Sequence, residues 1–347
     1  MAARDGIVLI DKPAGLTSHD VVARTRRLAA TRKVGHAGTL DPMATGLLVL
    51  GVGRATRLLT YLVGADKTYE ATVRLGQETT TEDAEGGVTT ARGCRIDDLP
   101  AARLDEALDR LTGPIQQVPS AVSAIRVDGM RSYERVRRGQ DVELAARSVT
   151  IHALELRGRP RAAAAVNGNG TAGAAGAAGS VGSVGAADTV EVVDIDLRVA
   201  CSSGTYVRAL ARDLGAALGC GAHLTALRRT RVGPFGVDEA ATLGALSARV
   251  ESDAAAARPR GLSVLPVPTA ARRCFEAVEL TGSEARALGH GRMLPADLLD
   301  RARTPERPVA SKAAGRVVAG LAPDGAVVAL LVRQGSRARP VTVLAPG

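Results

Sequence analysis

Gly35-His36-Ala37-Gly38-Thr39-Leu40-Asp41-Pro42-Met43-Ala44-Thr45-Gly46 is a glycine-punctuated loop that leads into the continuous apolar run Leu47–Val52. An apolar run of that length without alternation predicts a core strand buried on both faces. Upstream, residues 7–10 read as a second buried strand that ends in the turn Asp11-Lys12-Pro13-Ala14-Gly15. A helix follows, with Ser18 as the expected N-cap and Val21, Val22, Thr25 and Leu28 on its apolar side. The loop is thus held between strands, a setting in which chemical groups are commonly displayed. It carries one carboxylate, Asp41, five residues after His36. Alone, Asp-Pro is a turn former, and His36 a loop hydrogen-bonder.

Further along, residues 54–63 look helical, and Thr68–Leu75 alternates, with Tyr69, Ala71, Val73 and Leu75 on the apolar face. Residues 98–111 predict a helix with Pro100 near its start and Gly113 after its end. Strands are expected at 149–156 and 190–200. Cys201–Thr205 is expected to open a helix with the stripe Val207, Leu210, Ala211, Leu214 and Leu218, followed by a basic strand over 223–231. Regular strand-helix alternation is missing, so the class is α/β in the α+β sense, with a mixed, largely antiparallel central sheet flanked by helices. A hairpin around Pro323-Asp324-Gly325 marks a small β-rich C-terminal domain. The expected division is 1–250, an Ala/Pro-rich linker 251–268, and 269–347. Residues 161–188 hold 11 Ala and 7 Gly, too little large apolar surface to offset ordering entropy, and predict a flexible insertion. Its G-x-G-x-x-G at 168–173 has no strand before it and no patterned helix after it, and carries no nucleotide-binding implication.

At 347 residues the chain has room for roughly two domains. Its net charge of +9 comes from 45 Lys and Arg against 36 Asp and Glu, and only four of the 45 are Lys. Guanidinium groups fork onto phosphates and stack on bases, so the balance points toward a nucleic acid. With no Trp, four Tyr and two Phe, a sheet studded with base-stacking aromatics is excluded. Four cysteines without a C-x-x-C fit neither a zinc site nor a disulfide framework and suit a reducing cytosol. The first apolar run is too short for a signal peptide or membrane span, so a soluble, cytoplasmic protein is expected. Walker A, H-E-x-x-H and G-x-S-x-G motifs are absent from the sequence, which removes the usual support for nucleotide hydrolysis, zinc proteolysis and lipase chemistry.

The loop resembles the G-H-x-G-x-L-D-P-x-A-x-G signature of the bacterial tRNA pseudouridine-55 synthase family. Further blocks follow in that family's order: Asp11-Lys12-Pro13 with Gly15; Lys67-Thr68-Tyr69; Gly204-Thr205-Tyr206-Val207-Arg208; and Gly221-Ala222-His223-Leu224-Thr225-Ala226-Leu227-Arg228-Arg229. The resemblance spans about residues 7–235 and implies a pseudouridine synthase fold. It implies isomerisation of uridine 55 in the T loop of tRNA after the base is flipped out, a reaction that needs no cofactor and no metal. Asp41 matches the essential aspartate, which either adds to the ribose or removes its 2′ proton. Arg208 matches its charge partner, and Tyr69 the tyrosine that stacks on the base and helps remove the C5 proton. Tyr206 and Leu227 match pocket positions, His36 the residue that fills the space left by the flipped base, and Lys12 a lysine that supports the site or contacts RNA. Arg228 and Arg229, with Arg231, are expected at phosphates, which position RNA without reading it. The tail is expected to be a PUA-like RNA-binding module. The implied partner is the T stem-loop of tRNA; no membrane and no obligatory protein partner are implied, and a monomer is expected. Ala37, Met43 and Arg54 depart from the commoner pattern without removing a proposed catalytic group. Two alternatives stand beside this expectation: a tRNA-folding chaperone without essential catalysis, and a paralogous synthase acting on another RNA.

Overall fold

The computed structural model describes residues 4–121, 126–127, 130–131, 144–167, 189–257, 259–309 and 315–345. It groups into two compact units, residues 1–67 with 229–347, and residues 68–228.

In the first unit the strand Thr45–Val52 is the organising element. Its side chains go alternately to two cores. Leu47 and Val49 join Leu58, Leu62, Phe235 and Phe275, while Leu48, Leu50 and Val52 join Val21 and Val22 of the helix Ser18–Leu28 and Leu246 of Leu243–Ala254. Two-sided burial explains the continuous apolar run, since each buried Leu or Val contributes roughly 1.5–3 kcal/mol. Gly6–Lys12 pairs antiparallel with Thr45–Val52, and Val34–His36 does the same over Val34 to His36. Parallel pairing enters where Ile10 and Asp11 meet Ala241 and Thr242. The N-cap lies one residue before the expected Ser18: Thr17 caps the helix and closes a capping box with Asp20. Ser18 is buried and has another task, described below.

Residues 251–268 are not a linker in this unit. The helix Leu243–Ala254 enters the segment, Leu262 is buried, and Leu265 and Pro266 pair antiparallel with Ile7 and Gly6. The tail is a five-stranded sheet ordered 276–279, 318–321, 327–334, 337–343, 294–295, one face of which (Ala319, Leu321, Leu330) belongs to the same core as Leu47 and Val49. Tyr61 ties the two together, edge-on to Phe275 with ring centroids 5.6 Å apart and its hydroxyl 2.9 Å from Thr342 Oγ1. Composition at a Pro-rich stretch does not reveal such long-range pairing.

In the second unit the sheet order is 222–232, 67–75, 189–201, 147–166, 113–117, packed with the helices Ala101–Arg110 and Val207–Ala217. The alternation read at 68–75 holds: Tyr69, Ala71, Val73 and Leu75 are buried. Two boundaries move. The helix after Cys201 starts at Val207, because Gly204 occupies φ +93 in a turn. The strand expected at 149–156 runs Arg147–Val166, and Arg161 to Val166 pair with Asp194 to Thr189. The first residues of the Ala/Gly-rich segment are therefore strand, since ladder hydrogen bonds do not depend on side-chain size. Residues 168–188, with the G-x-G-x-x-G, lie outside the described residues, as do 132–143. Among the described residues no helix is long and apolar enough to cross a membrane.

Candidate active site

Asp41 is half-buried, and both of its neighbours are fixed. Ser18 Oγ donates to Leu40 O at 3.2 Å and accepts from Leu40 N at 2.9 Å. On the other side Pro42 O accepts from Gly15 N at 2.9 Å and from Lys12 Nζ at 3.1 Å. Lys12 is fully buried, and its ammonium also donates to Pro13 O and Leu16 O at 2.9 and 2.7 Å. Three carbonyls thus satisfy its three donors. Of the two roles expected for Lys12, support of the site is the one these bonds serve.

Arg229 corrects the expectation of a phosphate contact. It is 1% exposed, and its guanidinium donates to Leu47 O at 2.8 Å, Thr39 O at 3.2 Å and Gly38 O at 3.2 Å. The fork holds both ends of the Asp41 loop. The same contact explains Gly46, whose φ is +96 and where a Cβ would stand 2.3 Å from Arg229 O. Replacing Arg229 by Lys keeps the charge but trades a planar fork for a compact, shorter ammonium, so at least one of the three buried carbonyls loses its donor. Thermal or urea unfolding should show a loss of about 2 kcal/mol, since each such group costs about 1–3 kcal/mol. Unchanged stability would mean that water replaces the fork. Arg228 and Arg231 are half-buried.

His36 closes this part of the site. Its ring meets His19 edge-on at 5.8 Å, and it hydrogen-bonds the Gly38 backbone. Its Nδ1 is enclosed without a hydrogen-bond partner. Burial holds the His36 imidazole below its usual range, against the Gly38 bond. His223, on the strand Ala222–Val232, is lowered in the same way, with Nδ1 2.8 Å from Gln77 O. Both rings resist protons that the unfolded chain takes up near pH 6.5. Their contribution to stability is complete above that pH and is lost as acid is added. The melting temperature should fall between pH 7 and 5.5, and His223→Gln should flatten that fall; an equally steep fall in the variant would assign it to other groups.

The second unit carries the other candidates. Tyr69 and Leu227 are each 7% exposed on adjacent strands. Tyr206 is half-buried at the N-terminus of Val207–Ala217, where Gln117 clamps its backbone: Tyr206 N donates to Oε1 at 2.9 Å, and Nε2 donates to Tyr206 O at 3.1 Å. Arg208, one residue on, is buried and forms an ion pair with Asp83, Nε to Oδ2 3.6 Å. Its Nη1 donates to Thr81 O at 2.9 Å and Ser120 Oγ at 3.2 Å. One turn later Arg212 pairs with Glu82 at 2.7 Å, and Glu82 holds a left-handed φ of +62. Two arginines spaced i, i+4 thus take two consecutive carboxylates. Gln117, Ser120 and the Glu82-Asp83 pair were not singled out by the sequence, and Ser18 was singled out only as a helix cap; the one available signal for the carboxylates was that spacing of Arg208 and Arg212.

A pinned Asp-Pro loop in the first unit, and a half-buried tyrosine and an anchored arginine in the second, are carried by the α+β fold of the pseudouridine synthases. A chain from the crystal structure of a Cbf5-Nop10-Gar1 complex shares that fold, with a TM-score of 0.64 over 98% of this chain and 85% of that one, at 24% identity. Residues 26–171 match the TruB family pseudouridylate synthase N-terminal domain, 208–270 the tRNA pseudouridylate synthase B C-terminal domain, and 275–345 the tRNA pseudouridine synthase II C-terminal domain. The protein named tRNA pseudouridine synthase B from Paenarthrobacter aurescens (strain TC1) is 51% identical over 99% of this chain and 96% of its own length. The protein of that name from Thermobifida fusca (strain YX) is 47% identical over 98% of this chain and 99% of its own. The chain belongs to the TruB family of pseudouridylate synthases.

Proposed function

We propose that this protein isomerises uridine to pseudouridine in tRNA, at position 55 of the T loop, with Asp41 as the catalytic group. The observation that carries this reading is the doubly pinned Asp41 loop in a chain about half identical, end to end, to proteins named tRNA pseudouridine synthase B. The reaction breaks the bond from ribose C1′ to uracil N1 and forms one from C1′ to C5. N1 gains a proton and C5 loses one, so mass and charge are unchanged.

In this reading the flipped uracil leaves its neighbours in the T loop and needs a replacement surface, which Tyr69 supplies, with Tyr206 and Leu227 as pocket walls. Tyr69 also assists removal of the C5 proton. Asp41 acts on the ribose as a carboxylate, with Arg208 as its cationic counterpart. His36 fills the space from which the base departs, and Arg228 meets phosphate. The tail acts as the RNA-binding module, and the protein works as a monomer in the cytoplasm. The pinning of Leu40 and Pro42 supports a fixed carboxylate, because a misplacement of 1 Å is enough to lose much of a rate.

The test is release of tritium from T stem-loop RNA labelled at uridine C5 by the purified protein, with pseudouridine mapping of total RNA from a strain lacking the gene. Loss of modification at position 55 alone supports the reading. Loss elsewhere, with position 55 intact, would assign another RNA.

A further inference from the structure

Cys94 and Cys220 are 126 positions apart in sequence, yet two separate sets of hydrogen bonds bring their backbones together. Gly93 N donates to Gly76 O at 2.9 Å, and Gly76 N donates to Gly221 O at 2.8 Å, so one residue bridges the neighbours of both cysteines. The Arg103 guanidinium makes the second bridge, donating to Asp98 O at 3.3 Å and to Leu218 O at 2.7 Å. Gly76, at φ +101, has no side chain to stand between them; a Cβ there would lie 3.0 Å from Cys94 Cβ. The two thiols are close enough that each shifts the other's ionisation, and Cys94 Sγ lies 3.9 Å from Arg95 O. Both are partly exposed, whereas Cys201 and Cys274 are buried.

We propose that Cys94 and Cys220 are an oxidant-responsive thiol pair that a peroxide closes to a reversible disulfide. The environment separates their roles. The Cys94 side chain, helped by the Gly76 and Cys220 backbone and by the Arg103 charge, outweighs burial and lowers the Cys220 thiol to about 7. Cys94 is held well above the usual thiol range by the Cys220 side chain, then by burial and by the nearby Asp98 carboxylate. Cys220 is therefore the nucleophile and Cys94 the resolving thiol. The Cys220 thiolate attacks one oxygen of hydrogen peroxide and becomes a sulfenic acid, releasing hydroxide. Cys94 sulfur then displaces the sulfenic oxygen as its own proton is taken up. Two thiols and one peroxide give one disulfide and two waters. The cross-link ties the loop before the helix Ala101–Arg110 to the start of the strand Ala222–Val232, which carries Leu227 and Arg228.

The full chain, treated with a few equivalents of hydrogen peroxide, should lose two titratable thiols and show a cross-linked peptide pair containing Cys94 and Cys220, two hydrogens lighter than the reduced pair. Dithiothreitol should restore both. At pH 7 alkylation of Cys220 should run at least about tenfold faster than that of Cys94, because about half of it is thiolate. In Cys94→Ser the reaction should stop at a Cys220 sulfenic acid that dimedone traps. Separate sulfinic acids without a cross-link in the wild type would overturn the proposal. So would a disulfide between two chains, or equal alkylation of the two thiols.

Discussion

Asp41→Asn should abolish release of tritium from C5-labelled T stem-loop RNA, lowering the rate by about 10³-fold or more, within the range set by a positioned proton-transfer or nucleophilic group. The substitution is close to isosteric and removes only the charge and nucleophilicity of one oxygen. The loop is held at its backbone: Ser18 grips Leu40, Lys12 and Gly15 grip Pro42, and Arg229 grips Gly38, Thr39 and Leu47. None of these bonds uses the Asp41 side chain. The melting temperature should therefore stay within about 1 °C of wild type, a shift below about 1 kcal/mol for a chain of this size. Binding to T stem-loop RNA should persist, since in the proposed reading the phosphates are met by Arg228 and not by Asp41. A rate near wild type would remove Asp41 from the chemistry. A large fall in melting temperature would recast it as a structural residue. Modification lost while the cellular phenotype is kept would favour the tRNA-folding role.

The contrast between Asp41 and Arg229 shows where the sequence is informative. The motif around Asp41 is local, and its strand is legible because burial on both faces leaves no polar residue in Leu47–Val52. Arg229 stands in a run of arginines on a strand, and a run of one charge does not say which members point inward. Alternation along the strand separates Arg228, which is half-buried, from Arg229, which is enclosed, while Arg231, on the face of Arg229, is half-buried near the strand's end, so alternation alone does not decide it. The helix cap at Thr17 instead of Ser18 has a similar cause, since either hydroxyl satisfies the capping rule and only the Ser18 bond to Leu40 separates them. Asp83 lies in the polar stretch Thr79–Gly87, which composition renders as ordinary loop. Its partner Arg208 is 125 positions away, a distance over which local pattern carries no information. The Leu265–Pro266 pairing with Gly6–Ile7 escaped for the same reason.

Asp83→Ala should destabilise the chain by about 3–5 kcal/mol, the cost of leaving one member of a buried ion pair alone. The two side chains are 3% and 5% exposed, so water does little to replace the lost carboxylate beside Arg208. Asp83 also organises its own turn: Thr81 Oγ1 donates to its carboxylate, Glu85 N donates to Oδ1 at 3.0 Å, and its carbonyl accepts from Thr79 Oγ1 at 2.7 Å. Asp83→Asn keeps an acceptor for Glu85 N and should cost less than Asp83→Ala. The decisive measurement is a double-mutant cycle by urea unfolding, with Arg208→Met alone and combined with Asp83→Ala. If the ion pair is the source of the loss, the double variant is more stable than the sum of the single losses requires, because no buried charge is left unpaired. Strict additivity would place the effect of Asp83 in its turn. The same variants separate stability from chemistry. Asp83→Asn leaves Arg208 bonded to Thr81 O and Ser120 Oγ, so an arginine needed only for its position keeps most of the rate, whereas one whose charge must be balanced by Asp83 loses rate while the fold stays intact.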